Sequence, residues 1–413
     1  MYHAESPHRW CLRARAPGAA PAMAVALLML ATGTPAAADD GFERCIDTIA
    51  ERAADEGISA ATIDGVLRKA SQLERVIAAD RRQPEFTDPF TRYLNLRVND
   101  ARVARGRELL ERHGALLDRI RAEYGISPQY LLSFWALETN FGSYFGEIPV
   151  FDSLATLACD PRRGGYFTGE LIAALHIVDE GHIDPDDMVG SWAGAMGHTQ
   201  FMPSVYRRYA VDGDGNGRID LWNSVEDALT SAANFLRGIG WTPGWRWGRE
   251  VALPDGFDHA LAGRDRSRTL TEWRELGVRR TDGGRLSADD TEASLVVPAG
   301  HRGPAFLVYP NFDVIMRWNR SEFFALTVGH LADRIAGEGP LSNPPPEDLP
   351  RLTRDQVRAL QAALNARGFD SGTPDGILGP ATRSAIRDFQ RAEGWVADGF
   401  PDEQVLDALT SGR

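Results

Sequence analysis

Apolar side chains recur with helical spacing over much of residues 40–250, and this pattern predicts a mainly helical region. Its clearest helix extends from about Pro128 to Thr139. Proline suits the first turn of a helix, and Ser127 stands at the capping position before it. Gly142 lies just past the predicted end, where a glycine commonly stops a helix.

The pattern changes between residues 250 and 310, where short apolar runs alternate with turns rich in glycine and aspartate. Such runs are typical of short strands, and they predict a small β subdomain. The predicted strands lie near residues 250–253, 292–298 and 305–309. A further helix is predicted to follow Ser321 and to reach about Ile335.

The C-terminal part of the chain is predicted to be separate. Residues 338–350 (EGPLSNPPPEDLP) are rich in proline, which favours a semi-rigid extended linker. Residues 351–413 predict a small module of three helices, the first of which begins at a capping box of Thr353 and Gln356. No convincing internal repeat is evident. The predicted fold class is therefore mainly α, with a small β subdomain and a three-helix C-terminal module.

The N-terminal segment has the three parts of a secretory signal peptide in their usual order. Three arginines precede a short apolar run at residues 23–31, and Ala36, Ala37 and Ala38 supply small residues for cleavage. The apolar run is shorter than the roughly 20 residues that a spanning helix needs. We therefore predict that residues 1–38 are a signal peptide and that the mature protein is periplasmic.

Charge and cysteine content narrow the classes of function further. The formal net charge of −13 argues against a general nucleic-acid partner. Of the three cysteines, Cys11 lies within the predicted signal peptide, which leaves Cys45 and Cys159. An oxidising compartment permits a disulfide between these two, and two buried thiols are the alternative. No later segment has the length and apolarity of a transmembrane helix.

Glu138 is the candidate catalytic residue. Leu131, Phe134, Trp135 and Glu138 follow one another at helical spacing, so the carboxyl group is the single charge on an apolar, aromatic helix face. Burial raises the pKa of a carboxyl group, and a position near a helix C-terminus also disfavours an anion. Both effects suit a general acid for glycosidic cleavage. The alternative is a glutamate paired with an arginine in the core.

Several longer segments resemble the murein transglycosylase B family of lytic transglycosylases. They include WALETNFG (residues 135–142), SWAGAMGHTQFMPSVY (residues 191–206) and the segment 210–241, and the resemblance covers about residues 40–335. It implies that residues 39–337 form a lysozyme-like catalytic domain that includes the small β subdomain. It also implies cleavage of the β-1,4 bond between N-acetylmuramic acid and N-acetylglucosamine in peptidoglycan, without water and without a cofactor, which leaves a 1,6-anhydro end.

By this resemblance, Glu138 protonates the leaving oxygen and then, as a carboxylate, accepts the proton of the muramic acid C6 hydroxyl. One carboxylate suffices because the substrate supplies the nucleophile, whereas ordinary glycosidases use two carboxylates. No second acid lies in a matching motif, although Asp152 and Asp160 are candidates. The alternatives are a lysozyme-type hydrolase and a non-catalytic peptidoglycan-binding scaffold.

The resemblance also implies a set of substrate-binding residues. Ser191 and Gln200 are expected in the sugar cleft, with Phe201 and Met202 forming its wall unless these two only pack in the core. Further contacts are expected from Arg162, Arg163, Trp318 and Asn319. The two arginines would meet acidic groups of the substrate, and a solvated pair is their alternative. Tyrosine is usual in the family at the position of Trp318.

Residues 212–223 (DGDGNGRIDLWN) have the spacing of an EF-hand loop. The candidate ligands at its alternate positions are Asp212, Asp214, Asn216, Arg218 through its carbonyl, Asp220 and Asn223. Asparagine replaces the bidentate glutamate usual at the last position, which lowers charge and ligand number. We expect weak binding of a structural calcium or sodium ion. The alternative is a turn rich in aspartate and glycine that binds no ion.

The C-terminal module resembles the peptidoglycan-binding type 1 domain. The segments DGILGPAT (residues 375–382) and DFQRAEG (residues 388–394) carry the likeness. The resemblance implies that residues 351–413 bind peptidoglycan and hold the enzyme on its insoluble substrate, which raises the local substrate concentration.

Overall fold

The computed structural model describes residues 36–82 and 88–410. The predicted signal peptide (1–38) lies outside the described residues except for its last three, with which the first helix begins. The helices of the larger, N-terminal part are α1 (Ala36–Asp55), α2 (Ala60–Gly65), α3 (Glu74–Arg82), α4 (Phe90–Arg97), α5 (Asp100–Arg112), α6 (Gly114–Tyr124), α7 (Pro128–Thr139), α8 (Val150–Ala158), α9 (Gly164–Asp179), α10 (Pro203–Tyr209), α11 (Val225–Gly238), α12 (Leu270–Glu275), α13 (Pro310–Trp318) and α14 (Glu322–Ile335).

Helix α7 lies at the centre of the helical region and has the predicted bounds. Pro128 occupies its first position after Ser127, although the serine side chain makes no capping hydrogen bond. The helix ends at Asn140, whose φ of 49° places it in the left-handed region. It packs against α5, α6, α11 and α14, and Ser133 Oγ donates a 2.7 Å hydrogen bond to the carbonyl of Val328 on α14. These contacts bury most of the part of α7 that lies N-terminal to Glu138.

The β subdomain is a five-stranded antiparallel sheet with the strand order β4-β6-β7-β3-β5. Its strands are β3 (Gly248–Ala252), β4 (Ser267–Thr269), β5 (Arg279–Arg280), β6 (Glu292–Val296) and β7 (Ala305–Val308), and a separate pair is formed by β1 (Ile148–Pro149) and β2 (Val189–Gly190). The three predicted strands are confirmed as β3, β6 and β7. The prediction missed β4 and β5, because short polar strands at the sheet edges carry no apolar alternation.

A disulfide joins Cys45 on α1 to Cys159 at the end of α8. The two cysteines are 114 residues apart in sequence, and the bond ties the first helix to the α8–α9 hairpin. Of the two alternatives that the sequence left open, the disulfide is therefore the one present. None of the helices in the described ranges is long and apolar enough to cross a membrane.

The C-terminal module contains the three predicted helices, α15 (Arg354–Ala366), α16 (Pro380–Ala392) and α17 (Glu403–Thr410). The capping box of Thr353 and Gln356 at the start of α15 is confirmed. The small core of the module gathers apolar side chains from all three helices. Its buried members are Leu360, Leu364, Ala385, Ile386, Phe389, Val405 and Leu409.

The module contains the same hydrogen-bonded arrangement twice, although no convincing internal repeat is evident in the sequence. In the first copy, Gln361 Nε2 donates to Asp375 Oδ1 (3.0 Å) and Gln361 Oε1 accepts from Gly376 N (2.9 Å). In the second copy, Gln390 Nε2 donates to Asp398 Oδ1 and Gln390 Oε1 accepts from Gly399 N, both at 2.8 Å. Each glutamine thus fixes one Asp-Gly turn to its helix.

The second copy also docks the module on the β subdomain. Asp398 Oδ2 accepts hydrogen bonds from the backbone nitrogen of His301 (2.8 Å) and from its Nδ1 atom (2.7 Å). Gly300 allows this close approach, because a Cβ atom there would lie 2.7 Å from Asp398 Oδ2. The buried carboxylate therefore contributes to the module and to the interface at the same time.

Candidate active site

Glu138 lies in the last turn of α7, one residue before the helix ends. Trp318, the last residue of α13, donates a 2.9 Å hydrogen bond from its Nε1 atom to Glu138 Oε1. The carboxyl group is partly buried, and the two residues are 180 positions apart in sequence. The expectation of a raised pKa for Glu138 stays a prediction.

The indole of Trp318 belongs to an aromatic cluster beside the carboxyl group. It stacks on Phe134 with ring centroids 4.4 Å apart, and it contacts Phe235 at 5.1 Å and Phe201 at 5.4 Å. Offset or tilted rings at these separations are favourable arrangements. The cluster holds the indole so that its nitrogen faces Glu138. Phe201, buried as the core-packing alternative expected, lies within reach of the candidate site through this cluster.

A narrow internal cavity of about 10 Å³ adjoins Glu138. Its lining is mostly apolar and includes Leu131, Phe134, Trp135, Ala228, Leu229, Ala232 and Trp318, with Glu138 as the carboxylate and His198 and Thr199 as the remaining polar residues. Thr199 is 5% exposed, and its hydroxyl has no hydrogen-bond partner within the described chain. Thr199 was not predicted as a site residue, because no spacing signal distinguishes it from its neighbours.

His198 is a buried, neutral neighbour of the site. Burial lowers its pKa to about 4, and its Nδ1 atom accepts a 2.9 Å hydrogen bond from Trp135 Nε1. Thr139 Oγ1 donates to the carbonyl of His198 at 3.1 Å. Gly142 has a φ of 77°, and a Cβ atom there would lie 2.2 Å from the imidazole. His198 thus fixes the end of α7 against the following loop.

Ser191 and Gln200 stabilise the loop at residues 191–201, which contains the cavity-lining residues His198 and Thr199. Ser191 Oγ accepts from the backbone nitrogens of Ala193 (3.3 Å) and Ala195 (3.1 Å). Gln200 has a φ of 48°, and its Nε2 atom donates at 3.1 Å to the carbonyls of Phe145 and Gly197. The loop therefore engages the serine oxygen as an acceptor and the glutamine nitrogen as a donor.

Met202 and Asn319 lie at helix boundaries next to the site. Met202 is half-buried at the residue that precedes α10. Asn319 follows Trp318 directly, and its Oδ1 atom accepts a 3.1 Å hydrogen bond from Ser321 N in the turn that leads into α14. The position of Trp318 thus depends on a fixed turn on its C-terminal side.

Arg162 and Arg163 are engaged by a carboxylate that the sequence analysis did not identify. Both pair with Asp80 on α3, Arg163 at 3.3 Å, and Asp80 is 4% exposed. The arginine side chains themselves remain 50% and 40% exposed. The structure therefore places the two arginines side by side at the surface, where both already pair with the buried Asp80.

The two candidate second acids have other partners. Asp152 Oδ1 accepts from the backbone nitrogen of Ser71 at 2.9 Å, and Asp160 Oδ1 accepts from the backbone nitrogen of Arg162 at 2.9 Å. Neither lines the cavity next to Glu138. Among the described residues, Glu138 is the one carboxylate that lines this cavity.

The EF-hand-like loop is closely wrapped around its own carboxylates. Asp212 accepts hydrogen bonds from the backbone nitrogens of Gly215, Asn216 and Gly217, which lower its pKa. Carboxylate oxygens of Asp212, Asp214 and Asp227 lie within 4.8 Å of one another. Hard oxygen donors at this separation fit a hard cation such as calcium.

The remaining predicted ligands of the loop have mixed surroundings. Asp227, from α11 and absent from the prediction, is buried and accepts from the backbone nitrogens of Gly213 and Asp220, both at 2.8 Å. Asp220 Oδ1 accepts from the backbone nitrogen of Asn223 at 2.9 Å, and Asp214 Oδ2 from Asn216 Nδ2 at 3.0 Å. The side chain of Arg218 points to the carbonyl of His182, so only its own carbonyl could serve the loop.

Comparison with known proteins places this geometry in a family. Residues 41–333 match the transglycosylase SLT domain, and residues 353–409 match the putative peptidoglycan-binding domain. The chain is 30% identical over 296 residues to the membrane-bound lytic murein transglycosylase B of Escherichia coli, over 68% of this chain and 79% of that protein.

Solved structures agree with this match. SltB3 of Pseudomonas aeruginosa, in complex with NAG-anhNAM-pentapeptide, is 44% identical with a TM-score of 0.86, over 89% of this chain and 99% of that one. SltB1 of the same organism is 32% identical with a TM-score of 0.63, over 71% and 98% of the two chains. The Escherichia coli lytic transglycosylase Slt35, in complex with calcium, is 28% identical with a TM-score of 0.60, over 72% and 92%. The chain therefore belongs to the SLT-domain lytic transglycosylases that cleave the glycan strands of peptidoglycan, and it carries a C-terminal peptidoglycan-binding domain.

Proposed function

We propose that Glu138 performs both proton transfers of this lytic cleavage. The neutral carboxyl group donates its proton to the glycosidic oxygen as the bond from C1 of N-acetylmuramic acid breaks. The C6 hydroxyl of the same sugar then forms a bond to C1, and its proton passes to the carboxylate. The product is a 1,6-anhydro end, and Glu138 regains its neutral form without water entering the reaction.

The observation that carries this proposal is the hydrogen bond from Trp318 Nε1 to Glu138 Oε1. Negative charge develops on Glu138 when it donates its proton, so a fixed N–H donor stabilises the transition state more than the ground state. Asp152 and Asp160 accept backbone hydrogen bonds elsewhere, which disfavours the two-carboxylate arrangement of a lysozyme-type hydrolase.

Product analysis of purified sacculi tests the proposal. Wild type should release fragments with anhydromuramic ends, whereas Glu138→Gln should be slower by about 10²–10⁴-fold, the usual contribution of general acid–base catalysis. Glu111→Gln, on the exposed surface of α5, is the matched control and should match wild type. Reducing-end products without anhydro sugar would overturn the lytic mechanism, and an active Glu138→Gln variant would overturn the assignment of the acid.

We also propose that the cleft residues around Glu138 bind the glycan. Trp318 would present its aromatic surface to a sugar, and Ser191, Gln200 and Asn319 would use the polar atoms that the loop leaves available. Phe201 and Met202 would support this wall from beneath. Arg162 and Arg163, half-exposed beside Asp80, would contact acidic groups of the substrate through their open faces.

The domain assignment and location follow the same proposal. Residues 39–337 would be the catalytic domain, 338–350 the linker and 351–413 the wall-binding module. The disulfide between Cys45 and Cys159 supports a periplasmic location after loss of residues 1–38, because such bonds persist in oxidising compartments.

The loop at residues 212–223 is proposed to bind a structural calcium or sodium ion. The clustered carboxylates of Asp212, Asp214 and Asp227 support this, and none of the three lines the cavity beside Glu138. Calcium should raise the thermal midpoint of dialysed wild type but not that of Asp214→Asn. A midpoint that calcium leaves unchanged in wild type would remove the proposal.

A further inference from the structure

A cleft of about 620 Å³ lies between the helical domain, the β subdomain and the C-terminal module. The start of α14 and the end of β6 form one wall, and the N-terminal half of α16 forms the other. Apolar side chains such as Val296, Phe323 and Leu378 line part of it. The cleft is separate from the cavity beside Glu138, with which it shares no lining residue.

The ionic groups of this cleft do not balance. Most of its acids are already paired: Glu322 with Arg264 at 3.5 Å, Asp88 with Arg351 at 3.1 Å, and Asp398 with His301. Three lining cations form no ion pair with any described residue: Arg320, Arg383 and Arg387. Within the described chain, Asp265 is the one lining acid without such a pair. The cleft thus has an excess of unpaired positive charge.

Arg387 is the most unusual of these cations. It is 7% exposed, yet within the described residues it makes no side-chain hydrogen bond and no ion pair. Burial lowers its pKa, and the neighbouring guanidinium groups of Arg266 and Arg383 act in the same direction. The nearby acids offset this only in part: Asp265 raises the pKa, and Asp388 acts in the same direction but pairs with Arg391 at 2.7 Å. A guanidinium that is largely withdrawn from water and makes no hydrogen bond within the described residues gains from an anionic ligand in the cleft.

The backbone of α16 adds to the same field. The helix begins at Pro380, which lines the cleft together with Gly379, and its N-terminal end carries partial positive charge. Arg383 and Arg387 lie one turn apart on the same face. Gly399 leaves room for Arg387, because a Cβ atom there would lie 2.9 Å from its Nη1 atom. The N-terminus of α16 and the two arginines together favour the binding of an anion in this part of the cleft.

We propose that this cleft binds a carboxylate of the peptidoglycan stem peptide, with Arg387 and Arg383 as its partners. Stem peptides combine carboxylates with alanine methyl groups, which match the unpaired arginines and the apolar wall. A guanidinium suits this ligand, because its planar donors match a carboxylate. The inference rests on the proposed function for its ligand, but it concerns a site apart from the one that cuts the glycan.

Calorimetric titration of the mature chain with a synthetic stem tetrapeptide tests the site. The probe has no glycan, so cleavage by Glu138 does not enter the measurement. Arg387→Gln should weaken binding by about 10- to 100-fold, the usual value of a charge-assisted hydrogen bond. The matched control is Arg358→Gln, which changes an exposed arginine of the same module on α15, outside the lining of the cleft, and should bind as wild type does. Arg383→Gln should show a smaller loss, because Arg383 is more exposed.

Two further probes separate the outcomes. A tetrapeptide with all carboxyl groups amidated should not bind, and inorganic phosphate should compete only weakly. Equal binding by wild type and Arg387→Gln would overturn the proposal, as would absence of binding by wild type or equally strong binding of phosphate. Sacculus cleavage is measured in parallel, so an active enzyme that fails to bind the peptide would refute this site alone.

Discussion

The hydrogen bond between Trp318 and Glu138 can be removed while most of the surrounding packing is kept. Trp318→Phe deletes the Nε1–H donor but leaves a ring that can stack on Phe134, as the indole does at 4.4 Å. A hydrogen bond to a charged group contributes about 1.5–3 kcal/mol. Since Glu138 becomes charged only as it gives up its proton, this amount is lost from the transition state. The rate should fall by about 10- to 150-fold.

The assay is the initial rate of release of anhydro-ended fragments from sacculi, with the substrate at saturation. Phe235→Leu is the control, because Phe235 contacts the indole at 5.1 Å and its loss disturbs the cluster without removing the donor. Thermal midpoints of both variants monitor the fold. A Trp318→Phe enzyme with more than about half of the wild-type rate would contradict this role of the hydrogen bond, because the bond would then contribute under ~0.5 kcal/mol to the transition state.

Two further predictions concern stability. Replacing both Cys45 and Cys159 by alanine should lower the free energy of unfolding by about 2–5 kcal/mol, since the bond closes a long loop. Denaturant titration checks this, and a reductant that leaves wild type unaffected would contradict it. Burial lowers the pKa of His330 to about 4, so its contribution is complete above about pH 6.5 and is lost as the pH falls toward 4. His330→Leu should therefore lose less stability than wild type between about pH 7 and 5 in the same titration, and parallel pH profiles would argue against a neutral buried imidazole.

Local patterns were sufficient to predict the framework that carries Glu138. The start of α7 follows from Pro128, a short-range signal, whereas its end is set by Asn140 in the left-handed region and not by the predicted Gly142. The strands β3, β6 and β7 follow from apolar runs between turns. The carboxyl group could be placed on an apolar helix face because spacing along a helix fixes which residues share a face.

The partners of that carboxyl group could not be predicted in the same way. Periodicity says which face of α7 is buried, but not which residue from α13 meets it, because that depends on how the helices cross in space. The Trp318 contact joins residues 180 positions apart, and the capture of Arg162 by Asp80 spans 82 positions. Asp227 was not predicted as an ion ligand for a related reason, since it lies outside the 12-residue pattern of an EF-hand loop.

The second Gln–Asp–Gly arrangement limits how far the C-terminal module can move relative to the β subdomain. Because Asp398 holds the module to His301, the module does not move freely on a flexible linker. The distance between a peptidoglycan segment bound to the C-terminal module and the cleavage site at Glu138 would then be nearly constant. Such an enzyme would cleave at a nearly constant distance from the bound segment. Loss of the His301 contact would make the spacing of successive cleavage sites irregular.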